Sequence, residues 1–412
     1  MGNALYDQGR FEEAIDAHNK VLTFKPDYAD GYYNLGNALR AQRQLGDAID
    51  AYTKALSIKP DYADAYNNMG AVLKDQHKLE EAIQAFNKAI SIKPDFTEAY
   101  RNLGISLKGI TFNKPNRDLQ KTIISLINKE QVKPRSIFKA AISLLKLEPT
   151  LQKHIQLVNA DVIKSPLDVI SDINEFPLLL KLMSVCSLPD LDLEKLLTNL
   201  RHSILLNIPS LKEASPELLR FQSALALQCF TNEYIYNNTW EEEEILKTLE
   251  ASVKESFKNN EQPTPRTILA LASYKALNQY EWCKLLVVKD DIKEVYSRQV
   301  EEPNHEEKLK QDLPVLEEIT NNISSKVRTQ YEENPYPRWV NFGYTLKPIS
   351  ILNVVDGIKL KLHDNKITKV EKPEILIAGC GTGEHPIGTA TRFKASKVLA
   401  IDLSLSSLAY AK

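Results

Sequence analysis

Near its C-terminal end the chain reads Glu374-Ile375-Leu376-Ile377-Ala378, then Gly379-Cys380-Gly381-Thr382-Gly383, then a helical stretch from Glu384, then Lys397 to Ile401 and Asp402. A short apolar strand running into closely spaced glycines lets the backbone turn sharply and approach a ligand with no Cβ in the way. An acid at the end of the next strand accepts hydrogen bonds from ribose hydroxyls; Asp402 follows Gly383 by 19 residues. The chemistry indicated is nucleoside binding. A pyrophosphate fits poorly. The dinucleotide pattern is G-x-G-x-x-G, whereas here the third glycine comes one residue early and Glu384 takes the last glycine's place. A carboxylate there would oppose a pyrophosphate seated on the helix N-terminus. A glycine turn in a βαβ unit with no ligand is the alternative. Glu384 reads as a first-turn acid and His385 as a capping or packing residue.

A second polar set lies at the other end. Asn34, Asn68 and Asn102 recur every 34 residues. A side-chain amide is both donor and acceptor, so a ladder of them on one helical face can hold an extended peptide by its backbone. Asparagine tolerated on an exposed face is the alternative. No metal site is expected: Cys186, Cys229, Cys283 and Cys380 are scattered without C-x-x-C pairing, which also argues against a disulfide framework.

The elements that must position these residues are legible. Pro26, Pro60 and Pro94 share the 34-residue period with Gly2, Gly36, Gly70 and Gly104, with Ala14, Ala48 and Ala82, and with Tyr32, Tyr66 and Tyr100. Each unit predicts two helices joined by a short polar turn and closed by Lys-Pro-Asp, where proline ends the helix. Gly36 and Ala48 are placed where the two helices of a hairpin cross, with Tyr and Leu filling the space between stacked hairpins. Two units are complete, Ala29 to Tyr62 and Ala63 to Phe96; a partial unit precedes them and a lone first helix, Thr97 to Lys108, follows. From about Thr111 to Thr329 the period disappears, while helical spacing continues. Helix starts are expected at Ser215-Pro216-Glu217, at Thr264-Pro265 and at the capping box Thr239-Trp240-Glu241-Glu242. Tyr331-Glu332-Glu333-Asn334-Pro335-Tyr336-Pro337-Arg338-Trp339 then breaks the texture with two prolines and three aromatics beside its basic residue.

The residues at positions 2–108 resemble the tetratricopeptide repeat (TPR). The glycine loop, Asp402 and the stretch Val398 to Lys412 resemble class I S-adenosylmethionine-dependent methyltransferases. With the Tyr331–Trp339 peptide, the whole is similar to bacterial TPR methyltransferases. The resemblance implies a multidomain protein: an all-α TPR superhelix at 1–110, a helical middle domain at 111–330, and at 331–412 a linker or lid with the first part of an α/β Rossmann-like methyltransferase domain. It implies that Gly379, Cys380, Gly381, Thr382 and Gly383 contact the methionine part of S-adenosyl-L-methionine, and that Asp402 binds the ribose. It further implies that the repeats bind a protein or peptide. Tyr331, Tyr336, Arg338 or Trp339 is expected to line the cofactor side; a proline-stiffened linker with core aromatics is the alternative. Ile377 departs from the family's pattern, which often has an acid there to hold the ligand's amino group. No catalytic residue can be named; such residues, and the rest of the sheet, are expected beyond Lys412, so the chain is expected to bind the cofactor poorly. Met1-Gly2 matches Met69-Gly70, so the chain is expected to start inside a helix.

The bulk composition constrains partners. Lys plus Arg (52) nearly balance Asp plus Glu (54), giving a net charge of −2 and no long-range attraction to nucleic acid or anionic membrane. The most apolar run, Phe176 to Leu188, carries Lys181 and reads as a buried helix. A reduced, cytoplasmic protein is expected. Two functions stand: a methyltransferase whose repeats recruit a protein, or a scaffold with a non-catalytic α/β module. A nicotinamide-linked enzyme is disfavoured by the glycine spacing.

Overall fold

The computed structural model describes residues 1–160, 165–208, 215–316, 321–333, 339–340, 348–357, 361 and 366–412. They form two compact units: residues 1–132 with 139–144, and residues 133–138 with 145–412.

In the first unit, α1 (Gly2–Asp7) and α2 (Phe11–Phe24) are followed by the hairpins α3 (Ala29–Ala41) with α4 (Leu45–Ile58) and α5 (Ala63–Asp75) with α6 (Leu79–Ile92), then α7 (Thr97–Ser106) and α8 (Arg117–Asn128). The Lys-Pro-Asp signal acts as expected. Lys25, Lys59 and Lys93 end their helices at φ −133°, −128° and −126°, the extended conformation that a following proline imposes. Lys59 and Lys93 then lie over the rings of Tyr62 and Phe96, 4.5 and 4.9 Å from their centroids.

The glycines let the hairpins close. A Cβ on Gly2, Gly36 or Gly70 would meet His18, Tyr52 or Phe86 at 2.6, 2.7 and 2.8 Å. Tyr52 and Phe86 are fully buried beneath those glycines, each contributing about 1.5–3 kcal/mol of burial. Around Tyr52 pack Leu22, Leu35, Leu39, Ala48, Ala51 and Val72, drawn from consecutive helices. α7 ends at Ser106, two residues short of the expected Lys108. It is succeeded by α8, capped by the Asn116 side chain, although the sequence has left the repeat pattern by then. α8 packs on α6, and the Thr122 hydroxyl donates to Asn87.

The second unit is helical through residue 333 among the described residues. Pro149, Pro166, Pro177, Pro216 and Pro265 each stand in the first turn of a helix, where a missing N–H costs nothing. The expected caps form at Ser215, which accepts from the Leu218 N–H, and at Thr239, a complete capping box with Glu242. Thr264 makes no such bond; its hydroxyl pairs with that of Thr267. Arg201 is the largest fully buried side chain among the described residues. Its Nη2 donates to the carbonyls of Tyr236 and Asn237 and to Asn238, and its guanidinium lies 4.1 Å from the Tyr274 ring centroid.

The α/β part comprises β1 (Glu374–Ala378), a crossover helix (Glu384–Arg392), β2 (Lys397–Ile401) and a last helix (Leu405–Ala411). β1 and β2 pair in parallel, in register from Glu374–Lys397 to Ala378–Ile401. The Rossmann-like sheet expected from the sequence is represented among the described residues by these two strands alone: a βαβ unit, not a doubly wound sheet. Leu376 and Leu399, cross-strand neighbours, are 62% and 63% exposed. No helix among the described residues is long and apolar enough to cross a membrane.

Candidate functional site

The asparagines of the ladder lie on α3, α5 and α7, each half-buried. Their amides are not equally available. Asn68 donates to the Tyr33 hydroxyl at 3.1 Å and to the Asn37 carbonyl oxygen at 2.9 Å, so both its N–H groups serve the preceding hairpin. Asn102 donates to Asn67 at 3.0 Å, and Asn67 to the Asn68 oxygen at 3.3 Å. The hydroxyl of Tyr52 closes the network on Asn37 at 2.8 Å. The amides therefore register one repeat against the next, and what they offer a ligand is chiefly carbonyl oxygen. Asn34 makes no recorded side-chain bond among the described residues. Tyr33, Asn37 and Asn67 were not singled out by sequence, because they do not repeat: Tyr33 aligns with Asn67 and Arg101, and Asn37 with Ala71. Burial raises the Tyr33 hydroxyl above its usual pKa, so it remains a neutral hydrogen-bonding group.

In the second unit the glycine loop divides in two. Gly379 and Gly381 have φ of 68° and 53°, left-handed values that suit glycine, and among the described residues nothing lies within 4 Å of where a Cβ would be. This is the open backbone a closely approaching ligand needs. Gly383, at φ 88°, differs: a Cβ there would lie 2.4 Å from that of Ala411, so this glycine admits the last helix. Beside the loop is a cavity of about 470 Å³, lined by Gly379 to Thr382, Glu384, His385 and Arg392 among others. Glu384 pairs there with Lys133.

Asp402 does not line that cavity. Its Oδ2 accepts the Gly381 N–H at 2.7 Å and its Oδ1 the Ser404 N–H at 3.0 Å, so the carboxylate braces the loop. A ribose hydroxyl would have to share an oxygen already in use. The Cys380 thiol is pushed up by burial and by the nearby Asp402 charge, which makes it an inert wall. The fit to a sulfonium nucleoside is thus good at Gly379 and Gly381 and incomplete at Asp402.

Of the peptide expected to cover the cofactor side, Tyr336 and Arg338 lie outside the described residues. Trp339 reaches the loop: its indole Nε1 donates to the Thr382 carbonyl at 2.8 Å, and its ring stands edge-on to Tyr410, centroids 5.3 Å apart. Tyr331 contributes its carbonyl, which accepts the Ser404 hydroxyl at 3.1 Å. Glu332 carries no signal of its role in the sequence; its carboxylate accepts the Leu405 N–H at 2.5 Å and the Ser406 hydroxyl at 2.8 Å at the start of the last helix. Burial pushes the Glu332 carboxyl up, but these bonds, with Lys310 nearby, hold it below the usual carboxylate range.

The comparisons decide the N-terminal part. Residues 2–43 and 36–77 match a family model described as TPR repeat, and residues 63–96 one described as tetratricopeptide repeat. The chain is a tetratricopeptide-repeat protein. Similar solved structures include MamA, 32% identical over 31% of this chain and 74% of that one, TM-score 0.28. The first TPR of Spaghetti (RPAP3), bound to an HSP90 peptide, is 27% identical over 26% of this chain and 83% of its own, TM-score 0.25. PilF of Pseudomonas aeruginosa is 17% identical over 63% of this chain and 94% of its own, TM-score 0.26. No curated protein matches the chain. The family matches end at residue 96, and none reaches the glycine loop.

Proposed function

We propose that this TPR protein is an adaptor whose repeats dock an extended segment of a partner protein. The observation that carries this is the polar face of α3, α5 and α7, on which Asn68 and Asn102 are tied by side-chain hydrogen bonds to Tyr33, Asn37 and Asn67, while Asn34, on the same helix as Tyr33 and Asn37, keeps its amide unbonded among the described residues. A rigid face already paid for in side-chain entropy binds a peptide backbone with little further ordering. The solved RPAP3 repeats hold a peptide, which supports the reading by likeness only. The test is site-specific photo-crosslinking from Asn34 in the full chain, with a probe at exposed Glu80 on the second helix of a hairpin as control. One or a few defined partner chains should crosslink from position 34 and not from position 80. Equal crosslinking from both positions contradicts the adaptor reading.

A second reading, methyl transfer, is favoured by the open left-handed Gly379 and Gly381 beside a cavity. In this reading the backbone of Gly379 to Gly381 holds the methionine part of S-adenosylmethionine, and Asp402 takes the ribose by sharing an oxygen. The bound sulfonium supplies an activated methyl group; the protein orients the acceptor and excludes water. Hydrogen exchange over residues 379–383 tests it. Slower exchange with S-adenosylmethionine and not with NAD supports binding; no change with millimolar S-adenosylmethionine removes this reading and leaves the adaptor.

A further inference from the structure

The repeat unit carries another cavity, of about 480 Å³, lined by Arg40, Arg43, Leu45, Lys74, Asp75 and His77. It lies at the turn ends of the two complete hairpins. Arg40 and Lys74 occupy equivalent places one repeat apart, in the last turns of α3 and α5. Basic residues there complement the helix dipole, which is reason enough for those two.

Arg43 and His77 need another reason. They too are one repeat apart, and they adopt left-handed backbone at φ 65° and 62°. The equivalent residue of the preceding hairpin is Gly9, at φ 75°. Glycine holds this conformation without a steric penalty, whereas a side chain raises its energy. Both complete hairpins nonetheless place a long or ionisable basic side chain at this point, exposed and facing one cavity. None of the four basic residues is in a salt bridge among the described residues, and Arg43 and His77 make no recorded side-chain bond. The chain as a whole carries a net charge of −2, so the patch is a local feature and not part of a general basicity.

We infer that this cavity is a docking subsite for an acidic peptide. Arg40, Arg43, Lys74 and His77 face its carboxylates, Leu45 offers contact to an aliphatic side chain, and Asp75 accepts a backbone N–H. Asp75 favours a peptide over a phosphate chain, which would be repelled by the carboxylate and has no N–H on its backbone to give it. The subsite is separate from the asparagine face and stands whether or not that face binds a backbone.

The test titrates the full chain into a fluorescein-labelled peptide of alternating Glu and Leu and follows anisotropy at low and high salt. Its partners are the variant Arg43→Gly/His77→Gly, a Gln-for-Glu peptide and a single-stranded oligonucleotide. The expected result is salt-sensitive binding of the acidic peptide that weakens roughly 3- to 10-fold in the double variant, the loss of one exposed charge contact at Arg43 and one hydrogen-bonding side chain at His77. The melting temperature of that variant should be unchanged or higher, because glycine relieves the backbone. Equal affinity of the double variant, equal binding of the Gln peptide, or tighter binding of the oligonucleotide overturns the proposal.

Discussion

Replacing Gly36 by Ala tests the packing logic of the repeats against local propensity. On propensity alone the change should stabilise α3 by about 1 kcal/mol, because Ala is the better helix former. The structure reverses the sign. The new methyl would lie 2.7 Å from Cε1, 2.8 Å from Cδ1 and 3.0 Å from Cζ of Tyr52, all on a rigid ring. Tyr52 is 0% exposed, and its hydroxyl is held by Asn37 at 2.8 Å. It cannot swing away without losing that bond, about 1 kcal/mol. Overpacking of this kind costs about 1–3 kcal/mol; adding the lost bond and subtracting the propensity gain leaves a net destabilisation of about 1–3 kcal/mol. Gly46→Ala in the same hairpin is the control. Nothing lies within 4 Å of its Cβ position, and it should stabilise by up to ~1 kcal/mol. Urea unfolding of both variants followed by circular dichroism gives the difference. A Gly36→Ala protein as stable as the Gly46→Ala protein would refute the close-crossing account. Tyr52→Leu should relieve the clash, so the pair should be non-additive.

Four further outcomes follow from the second unit. Arg201→Ala should destabilise it by about 3–5 kcal/mol in thermal unfolding, because it leaves Glu242 buried beside the Tyr274 hydroxyl without its cation. Burial pushes the Glu242 carboxyl up, but the bonds from Tyr274 and the Thr239 backbone and the Arg201 charge hold it below 4.5, the unfolded value. The unfolded state therefore takes up this proton first, and the stabilisation is present above pH 4.5 and lost as pH falls through the folded value; Glu242→Gln should flatten that part of the stability–pH curve. Asp402→Ala removes the acceptor of the Gly381 and Ser404 N–H groups, so both amides should exchange at least ~10-fold faster with no ligand present. Burial pushes the Cys186 and Cys229 thiols up to about 12, and both should resist a thiol reagent at pH 8 until the protein unfolds.

The repeats were readable because their determinants are local and recur. Proline after lysine fixes an extended residue, and a glycine at a fixed place admits a ring 16 residues later, as Gly36 admits Tyr52 and Gly70 admits Phe86. The helix starts of the second unit were readable for the same reason, each lying within four residues. What the asparagines do was not readable. Their partners, Tyr33, Asn37 and Asn67, sit one repeat away and do not recur, so no period reveals them. The glycine loop announced its backbone shape, and Gly379 and Gly381 have it. That Gly383 would admit Ala411, and that Asp402 would turn back to brace Gly381, depends on contacts made after the chain folds. Likewise Arg201 and Glu242 are ordinary surface types in sequence, and only the fold buries them together.

The central claim, that the polar face of α3, α5 and α7 docks an extended peptide, is tested most directly by selecting peptides from a display library on the full chain. Their affinity is then measured for the wild type, for Asn34→Ala, and for Asn34→Ala/Asn68→Ala/Asn102→Ala, with melting curves to confirm folding. The account predicts peptides that lose affinity already in the single variant, because the Asn34 side chain makes no hydrogen bond among the described residues, and lose more in the triple. Peptides that bind all three proteins equally would contradict it.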